Sequence, residues 1–232
     1  MKRTLVGFLV GLFLWQASAF QAPGTHPVTG RKIAGVMGMS GADWLVRPER
    51  EAEEQPEKAL DALNLKPGMV VADIGAGVGY MSLRMARRVG PSGKVFANDL
   101  QPDMLDRLRQ NASKAGIGNI VTVIGDVADP KLPANTMDLV LLVDVYHEFS
   151  EPQKMLRKIR ETLKPDGRLV LLEYRAEDPN VPILAEHKMT VAQVKTELEA
   201  EGFVLQPVIE TLPRQHILIL TKAAAKAARQ AQ

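Results

Sequence analysis

Between residues 69 and 221, short apolar runs alternate with segments whose apolar positions recur at helical spacing. Runs at 69–74, 94–99, 120–125, 137–143 and 168–174 read as strands. The fourth is almost continuously apolar, as expected of a strand covered on both faces. Helical spacing fills 78–89, 102–115, 151–163 and 190–201, with Pro102 in a first turn and Thr190 at an N-cap position. Gly90-Pro91-Ser92-Gly93 and Lys164-Pro165-Asp166-Gly167 close two of these helices. Such alternation predicts a doubly wound, mostly parallel α/β sheet with helices on both faces. Two last strands, 203–210 and 216–221, have no helix between them, so they form a hairpin and one runs antiparallel.

Upstream, 56–65 has helical spacing and ends at Lys66-Pro67-Gly68, while 21–41 reads as an irregular arm. The stretch 43–54 is so charged that it reads as a solvated helix, the alternative being that Arg47 and Arg50 attract an anionic acceptor. At the N-terminus, Lys2 and Arg3 precede an apolar run from Leu5 to Trp15 and then Ala17-Ser18-Ala19. That is the pattern of a secretory signal peptide with cleavage near Phe20, and the run is too short for an ordinary membrane span. The expectation is a secreted or periplasmic protein without stable membrane association after cleavage; a membrane anchor left uncleaved is the alternative. The chain thus divides into a signal at 1–19, an N-terminal arm and helix at 20–62 on the substrate side, a domain at 63–222 and an Ala/Lys-rich tail at 223–232.

Composition narrows the choice of partners. The 29 basic and 27 acidic residues leave a net charge of +2, which points to no nucleic-acid partner. Cysteine is absent, so disulfides, thiolate nucleophiles, zinc–thiolate sites and a lipoprotein anchor are excluded. Nothing in the sequence sets the oligomeric state.

The chemistry concentrates at strand ends. Val70-Val71-Ala72-Asp73-Ile74-Gly75-Ala76-Gly77-Val78-Gly79-Tyr80 is a buried strand ending in an acid, a glycine turn and a helix start, which directs backbone N–H groups beyond the strand's carboxyl end. A dinucleotide fingerprint would place a third small residue where Tyr80 stands. Asp99 ends the second strand roughly 24 residues beyond Gly75, near the spacing of an acid that binds ribose hydroxyls; its structural alternative is to cap the helix at Pro102. Asp126 follows the third strand.

This set resembles the class I S-adenosylmethionine-dependent methyltransferases. The resemblance implies a Rossmann-like seven-stranded sheet of order 3-2-1-4-5-7-6 and S-adenosyl-L-methionine as cofactor. It further implies that Gly75, Ala76, Gly77 and Gly79 lie against the methionine portion, and that Asp73 receives the amino group, unless Asp73 only caps its own turn. Asp99, with Leu100, Gln101 and Met104, would flank the nucleoside, and Asp126 and Val127 would meet adenine. Asp144-Val145-Tyr146-His147-Glu148-Phe149 would border both sulfonium and acceptor, with Asp144 also touching the cofactor. His147 is the preferred base, followed by Asp144 and Glu148, if the acceptor must lose a proton. The Asn/Asp-Pro-Pro-aromatic motif of nucleic-acid amino-methyltransferases is missing, so the acceptor is expected to be a small molecule or a protein side chain. Asp144 with Glu173 lacks the acidic–amide pairing of the catechol branch, so no metal is expected. The acceptor site is sought in the arm (His26, Met37, Met39, Trp44, Arg47) and in 175–189 with His187 and Lys188. The competing functions are a non-catalytic nucleoside-binding protein and an NAD-dependent oxidoreductase.

Overall fold

The structure is a computed structural model and describes residues 24–224. The segment expected to be a secretory signal and most of the Ala/Lys tail lie outside the described residues. In chain order the elements are α1 (Arg50–Glu54), α2 (Pro56–Leu63), β1 (Val70–Ile74), α3 (Tyr80–Val89), β2 (Lys94–Asp99), α4 (Pro102–Lys114), β3 (Ile120–Ile124), β4 (Met137–Val143), α5 (Pro152–Thr162), β5 (Leu163–Tyr174), α6 (Val191–Ala200), β6 (Phe203–Leu205) and β7 (Gln215–Lys222).

The seven strands form one sheet of order β3-β2-β1-β4-β5-β7-β6. Strands β1 to β5 pair in parallel, and β7 runs antiparallel to both of its neighbours. Period-two alternation assigns each strand residue to a face. Ala72, Val140, Leu142, Leu169 and Leu171 enter one core with Leu156, Ile159 and Leu198 of α5 and α6. Their neighbours Val71, Leu139, Leu141, Val170 and Leu172 enter a second core with Leu60, Met81 and Met85 of α2 and α3. Both faces are therefore dry, which explains why β4 lacks polar alternation.

Three local readings differ from the sequence expectation. The Lys164–Gly167 stretch does not end before its strand but lies within β5, where the register against β4 jumps from Met137↔Leu163 to Leu139↔Arg168. The strand expected over 203–210 stops at Leu205, and only Ile209 rejoins β7 as an isolated bridge, because Pro207 lacks the N–H a ladder needs. The charged 43–54 stretch is not a solvated helix throughout: Arg50 and Glu54 are buried. Thr190 does cap α6, in a reciprocal capping box with Gln193. Among the described residues, no helix is long and apolar enough to cross a membrane.

Candidate active site

A parallel sheet opens at the carboxyl ends of its strands, where the order reverses on either side of β1. There a cavity of ≈ 920 Å³ lies between the β1, β2 and β4 ends, the N-terminal arm and the 182–187 segment. This is at the upper end of the roughly 300–1,000 Å³ of small-molecule sites.

The glycine turn after β1 forms its floor. Gly75 has φ +71°, and a Cβ there would stand 2.5 Å from Val145 Cγ2, so only glycine admits the close approach of the β4 exit. Gly75 and Gly77 line the cavity; Ala76 and Gly79 do not. Gly79 instead begins α3, where a Cβ would strike Leu83 and Leu108, so its smallness serves helix packing. Asp99 Oδ2 accepts from Gly77 N–H at 2.8 Å and Oδ1 from Gln101 N–H at 2.9 Å. The carboxylate both ties the two loops together and lines the cavity, keeping spare lone pairs for a ligand hydroxyl. Burial pushes its pKa up, against the backbone donors that favour the anion. Leu100, Gln101, Met104, Asp126 and Val127 continue the same wall.

Asp73 is not brought to that wall. Its Oδ2 accepts from Ser82 Oγ at 2.5 Å, fastening β1 to α3, and its side chain is buried behind the turn. Burial raises its pKa to about 6. The acid that faces the cavity is Asp144, which leaves β4 with φ +53°. Gln215 Nε2 donates to its Oδ2 at 2.7 Å, while its buried Oδ1 has no hydrogen-bond partner among the described residues. Burial raises its pKa well above the ordinary carboxylate value, with Glu54 and Glu173 adding repulsion.

Arg50, also on the wall, lies close enough to Asp144 to be stabilised by it as a cation. Its Nε donates to Glu54 Oε2 at 2.6 Å and its Nη1 to the Leu45 carbonyl at 2.7 Å; Tyr174 O–H donates to Glu54 Oε1 at 2.8 Å. Glu54 and Gln215 were missed in the sequence, and Arg50 was placed there on a solvated helix or toward an anionic acceptor, not at the donor wall. The Arg-x-x-x-Glu spacing of Arg50 and Glu54 was visible, but the surrounding acids made it look like any exposed helix.

The β4 exit then makes a short 3-10 turn, Tyr146–Glu148, that presents His147 and Glu148 to the cavity. Glu173 is fully buried beneath it: Tyr146 N–H donates to Oε1 at 3.0 Å and His147 Nδ1 lies 2.7 Å from Oε2. Burial pulls the His147 pKa down, but Glu173, Glu148 and Asp144 outweigh it and leave the pKa raised. Burial takes the Glu148 carboxyl up to about 7, although His147 opposes it. His187 lines the cavity opposite, its own pKa lowered by burial and by His147.

Of the expected arm residues, Met37 and Trp44 line the cavity, and Gln101 Nε2 holds the arm by the Met37 carbonyl at 2.9 Å. Met39 packs beside Met104 and Ala42. His26 and Arg47 do not reach the cavity. His26 is buried with Tyr146 and Glu197, whereas Arg47 stacks 3.8 Å over Trp44 and pairs with Glu53. Lys188 turns back to the Val181 carbonyl at 3.2 Å, leaving His187 as the polar contributor from its segment.

A Rossmann-like sheet with a glycine turn, an acid ending β2 and a cavity at the switch point defines a nucleoside-binding α/β protein. The profile of the family described as "Methyltransferase domain" matches residues 65–222, and the chain belongs to that family. It is 29% identical over 140 residues to nocamycin O-methyltransferase from Saccharothrix syringae, covering 60% of this chain and 48% of that one. It is 32% identical over 116 residues to the ubiquinone/menaquinone biosynthesis C-methyltransferase UbiE from Salmonella arizonae, covering 50% and 46%. The chain spans about half the length of these curated relatives. A crystal structure of a SAM-dependent methyltransferase from Aquifex aeolicus superposes with a TM-score of 0.75 at 28% identity, over 80% of this chain and 98% of that one.

The family implies S-adenosylmethionine as methyl donor, and the residues present fit it. Its methionine end carries an ammonium and a carboxylate; the wall offers the unpartnered Asp144 Oδ1 and the Arg50 guanidinium. Gly75 leaves backbone where a side chain would stand, and Asp99 suits a ribose diol. The nicotinamide alternative fits poorly. Tyr80 sits in the helix start with Arg50 4.2 Å and Arg84 4.0 Å over its ring.

Proposed function

We propose that this chain transfers the methyl group of S-adenosylmethionine to a small, largely apolar acceptor. The observation that carries this reading is one cavity whose lining combines two chemically distinct sets of residues. The first, assigned to a donor end, is the glycine turn, Asp99, Arg50 and Asp144, whose Oδ1 has no partner among the described residues. The second, assigned to an acceptor end, is His147, Glu148 and His187, with Ile33, Val36, Phe149, Met155 and Ile183.

Bound there, S-adenosylmethionine supplies an electrophilic methyl on a sulfonium. Asp144 would accept from its amino group and Arg50 would pair with its carboxylate, while Asp99 would accept from the ribose hydroxyls and Asp126 with the Val127 N–H would meet the adenine edge. Held in this way, donor and acceptor would gain most of their acceleration from orientation and exclusion of water. Apolar side chains around the acceptor hold its body, and His147, Glu148 and His187 are among the polar groups it can meet. The two curated relatives bear names of small-molecule methyltransferases, which favours a small molecule over a protein side chain. The Lys2–Ala19 pattern supports export as part of the proposal, and fractionation with N-terminal sequencing tests it.

Calorimetry with S-adenosylmethionine and S-adenosylhomocysteine tests the donor site, with a dissociation constant in the micromolar range expected. A folded sample that binds neither rejects the reading. Labelled donor offered with pools of hydroxylated and quinol-type small molecules tests transfer. Binding without any methylated product reduces the protein to a nucleoside binder.

A further inference from the structure

We propose that His147, Glu148 and His187 form a site for a divalent transition-metal ion at the acceptor end of the cavity. This deepens the methyl-transfer reading and rests on it for the purpose of the site. The expectation of no metal concerns Asp144 with Glu173, and Glu173 has both oxygens committed to Tyr146 and His147. The convergent donors are elsewhere. His147 Nε2 lies 3.1 Å from His187 Nδ1, and Glu148 Oε1 lies 4.0 Å and 3.9 Å from these two nitrogens.

Metal–ligand bonds of roughly 2.0–2.2 Å in a tetrahedron put the ligand atoms about 3.3–3.5 Å apart. The imidazole pair already stands near that separation. The carboxylate needs to approach by only about 0.5 Å, which a side-chain torsion provides. All three atoms lie within 4.8 Å of one another and all three residues line the cavity.

The second observation is the support behind His147. The buried Glu173 carboxylate, 2.7 Å from Nδ1, takes the Nδ1–H and leaves the Nε2 lone pair aimed at the cluster. A carboxylate behind an imidazole in this way fixes its tautomer and orientation, and strengthens it as a ligand. The Tyr146 N–H fixes the carboxylate in turn. A solitary structural histidine needs no such arrangement with a second imidazole placed at its free nitrogen.

Two imidazoles and one carboxylate favour zinc, iron(II), cobalt(II) or nickel(II) over magnesium or calcium, which prefer all-oxygen cages. Three protein ligands leave at least one position open, as in metal sites that bind substrate. Here that position faces the cavity. It suits an acceptor that presents a hydroxyl or enol oxygen, which loses its proton to solvent on coordination and is held as the anion. The substrate class is therefore an oxygen-bearing small molecule with an apolar body.

Cobalt(II) titrated into the metal-free full chain, followed by visible absorption and calorimetry, tests the site. One equivalent bound with visible d–d bands is the expected result. His187→Ala, on the partly exposed 3-10 turn Ala185–His187, should weaken cobalt binding more than tenfold without disturbing the core. Glu173→Gln, which alters a positioning residue, should weaken it about 10–100-fold, with circular dichroism and S-adenosylhomocysteine affinity as controls of folding. Failure of the folded wild type to bind cobalt overturns the proposal, as does equal binding by wild type and His187→Ala. Wild-type protein that binds S-adenosylhomocysteine but no cobalt loses the metal site and keeps the donor site. Protein that binds neither loses both.

Discussion

The two ends of the cavity are held in different ways. At the donor end the backbone does the positioning: β1, β2 and β4 run side by side with Ile74 level with Asn98 and Leu142, and the glycine turn follows from where those strands stop. At the acceptor end, side chains hold segments that belong to no sheet. Arg31 reaches from the arm to Glu197 of α6 and to the His147 carbonyl, and Ala34 N–H donates to that same carbonyl. Glu197 is fully buried and also accepts from Thr29 and from Tyr146 O–H. A sheet edge tolerates little change of position, whereas a network of side chains can be exchanged one residue at a time. That difference suits an invariant donor facing a variable acceptor.

The two ends meet where Gly75 touches Val145, and crowding that contact should have the largest effect on donor binding. Gly75→Ala places a Cβ 2.5 Å from Val145 Cγ2 at φ +71°. We expect S-adenosylhomocysteine affinity to fall about 100-fold and stability by about 2 kcal/mol, from overpacking plus left-handed strain. Adding Val145→Ala relieves the clash but not the strain, so the double variant should recover about half of the lost affinity on a logarithmic scale. Calorimetry and urea unfolding on both proteins measure this.

Arg31→Ala acts on the acceptor end alone. It leaves the buried Glu197 carboxylate with only Tyr146, Thr29 and the His26 imidazole, and breaking a buried pair of this kind costs about 3 kcal/mol. Urea unfolding should show that loss, and limited proteolysis should cut the arm before the domain. Donor affinity should stay within about threefold, since Arg31 touches no part of the donor wall. A larger loss would mean that the two ends are coupled.

Asp99→Ala is the corresponding test of the donor end. It removes the acceptor of the Gly77 and Gln101 N–H groups together with the ribose contact proposed for it. Losing hydrogen bonds to a charged group amounts to about 1.5–3 kcal/mol, so donor affinity should fall at least tenfold. An affinity unchanged within threefold would remove Asp99 from the binding set.

Legibility in the sequence follows the same division. The sheet was readable because strand burial imprints apolar runs and the β–α turns carry glycine and proline at fixed places. The bounds of β2 and β4 agree with the structure to the residue. That Asp99, Gly75 and Gly77 would line a common cavity was readable because their positions are set by strand ends. Arg50 and Glu54 were not, since a buried ion pair on a short helix has the same letters as an exposed one. The Glu197–Arg31 network was equally hidden, its partners being separated by 166 residues with no periodicity to link them. His187 was noticed as a residue of the acceptor loop, but its approach to His147 depends on how that loop folds back.

Asp73 shows how far a strand-end rule can be trusted, and it sets the smallest expected effect. The acid ending β1 was assigned to the cofactor, yet it lies under Ser82, away from the cavity wall. Burial holds its pKa at about 6 against an ordinary 3.8. A carboxyl whose folded pKa is raised favours the folded state in its neutral form. That contribution is complete below pH 3.8, is lost as the pH climbs to about 6, and is absent above. Asp73→Asn keeps an acceptor for Ser82 and carries no charge, so it should be more stable than wild type above pH 6 by about 1–2 kcal/mol. The gap should shrink toward pH 4, and urea midpoints of the two proteins at matched pH isolate it from the other titrating groups. If the residue only fastens β1 to α3, donor affinity of the variant at pH 8 stays within about threefold of wild type. A tenfold loss there, with the stability gain intact, would return Asp73 to the donor site and make its deprotonation part of binding.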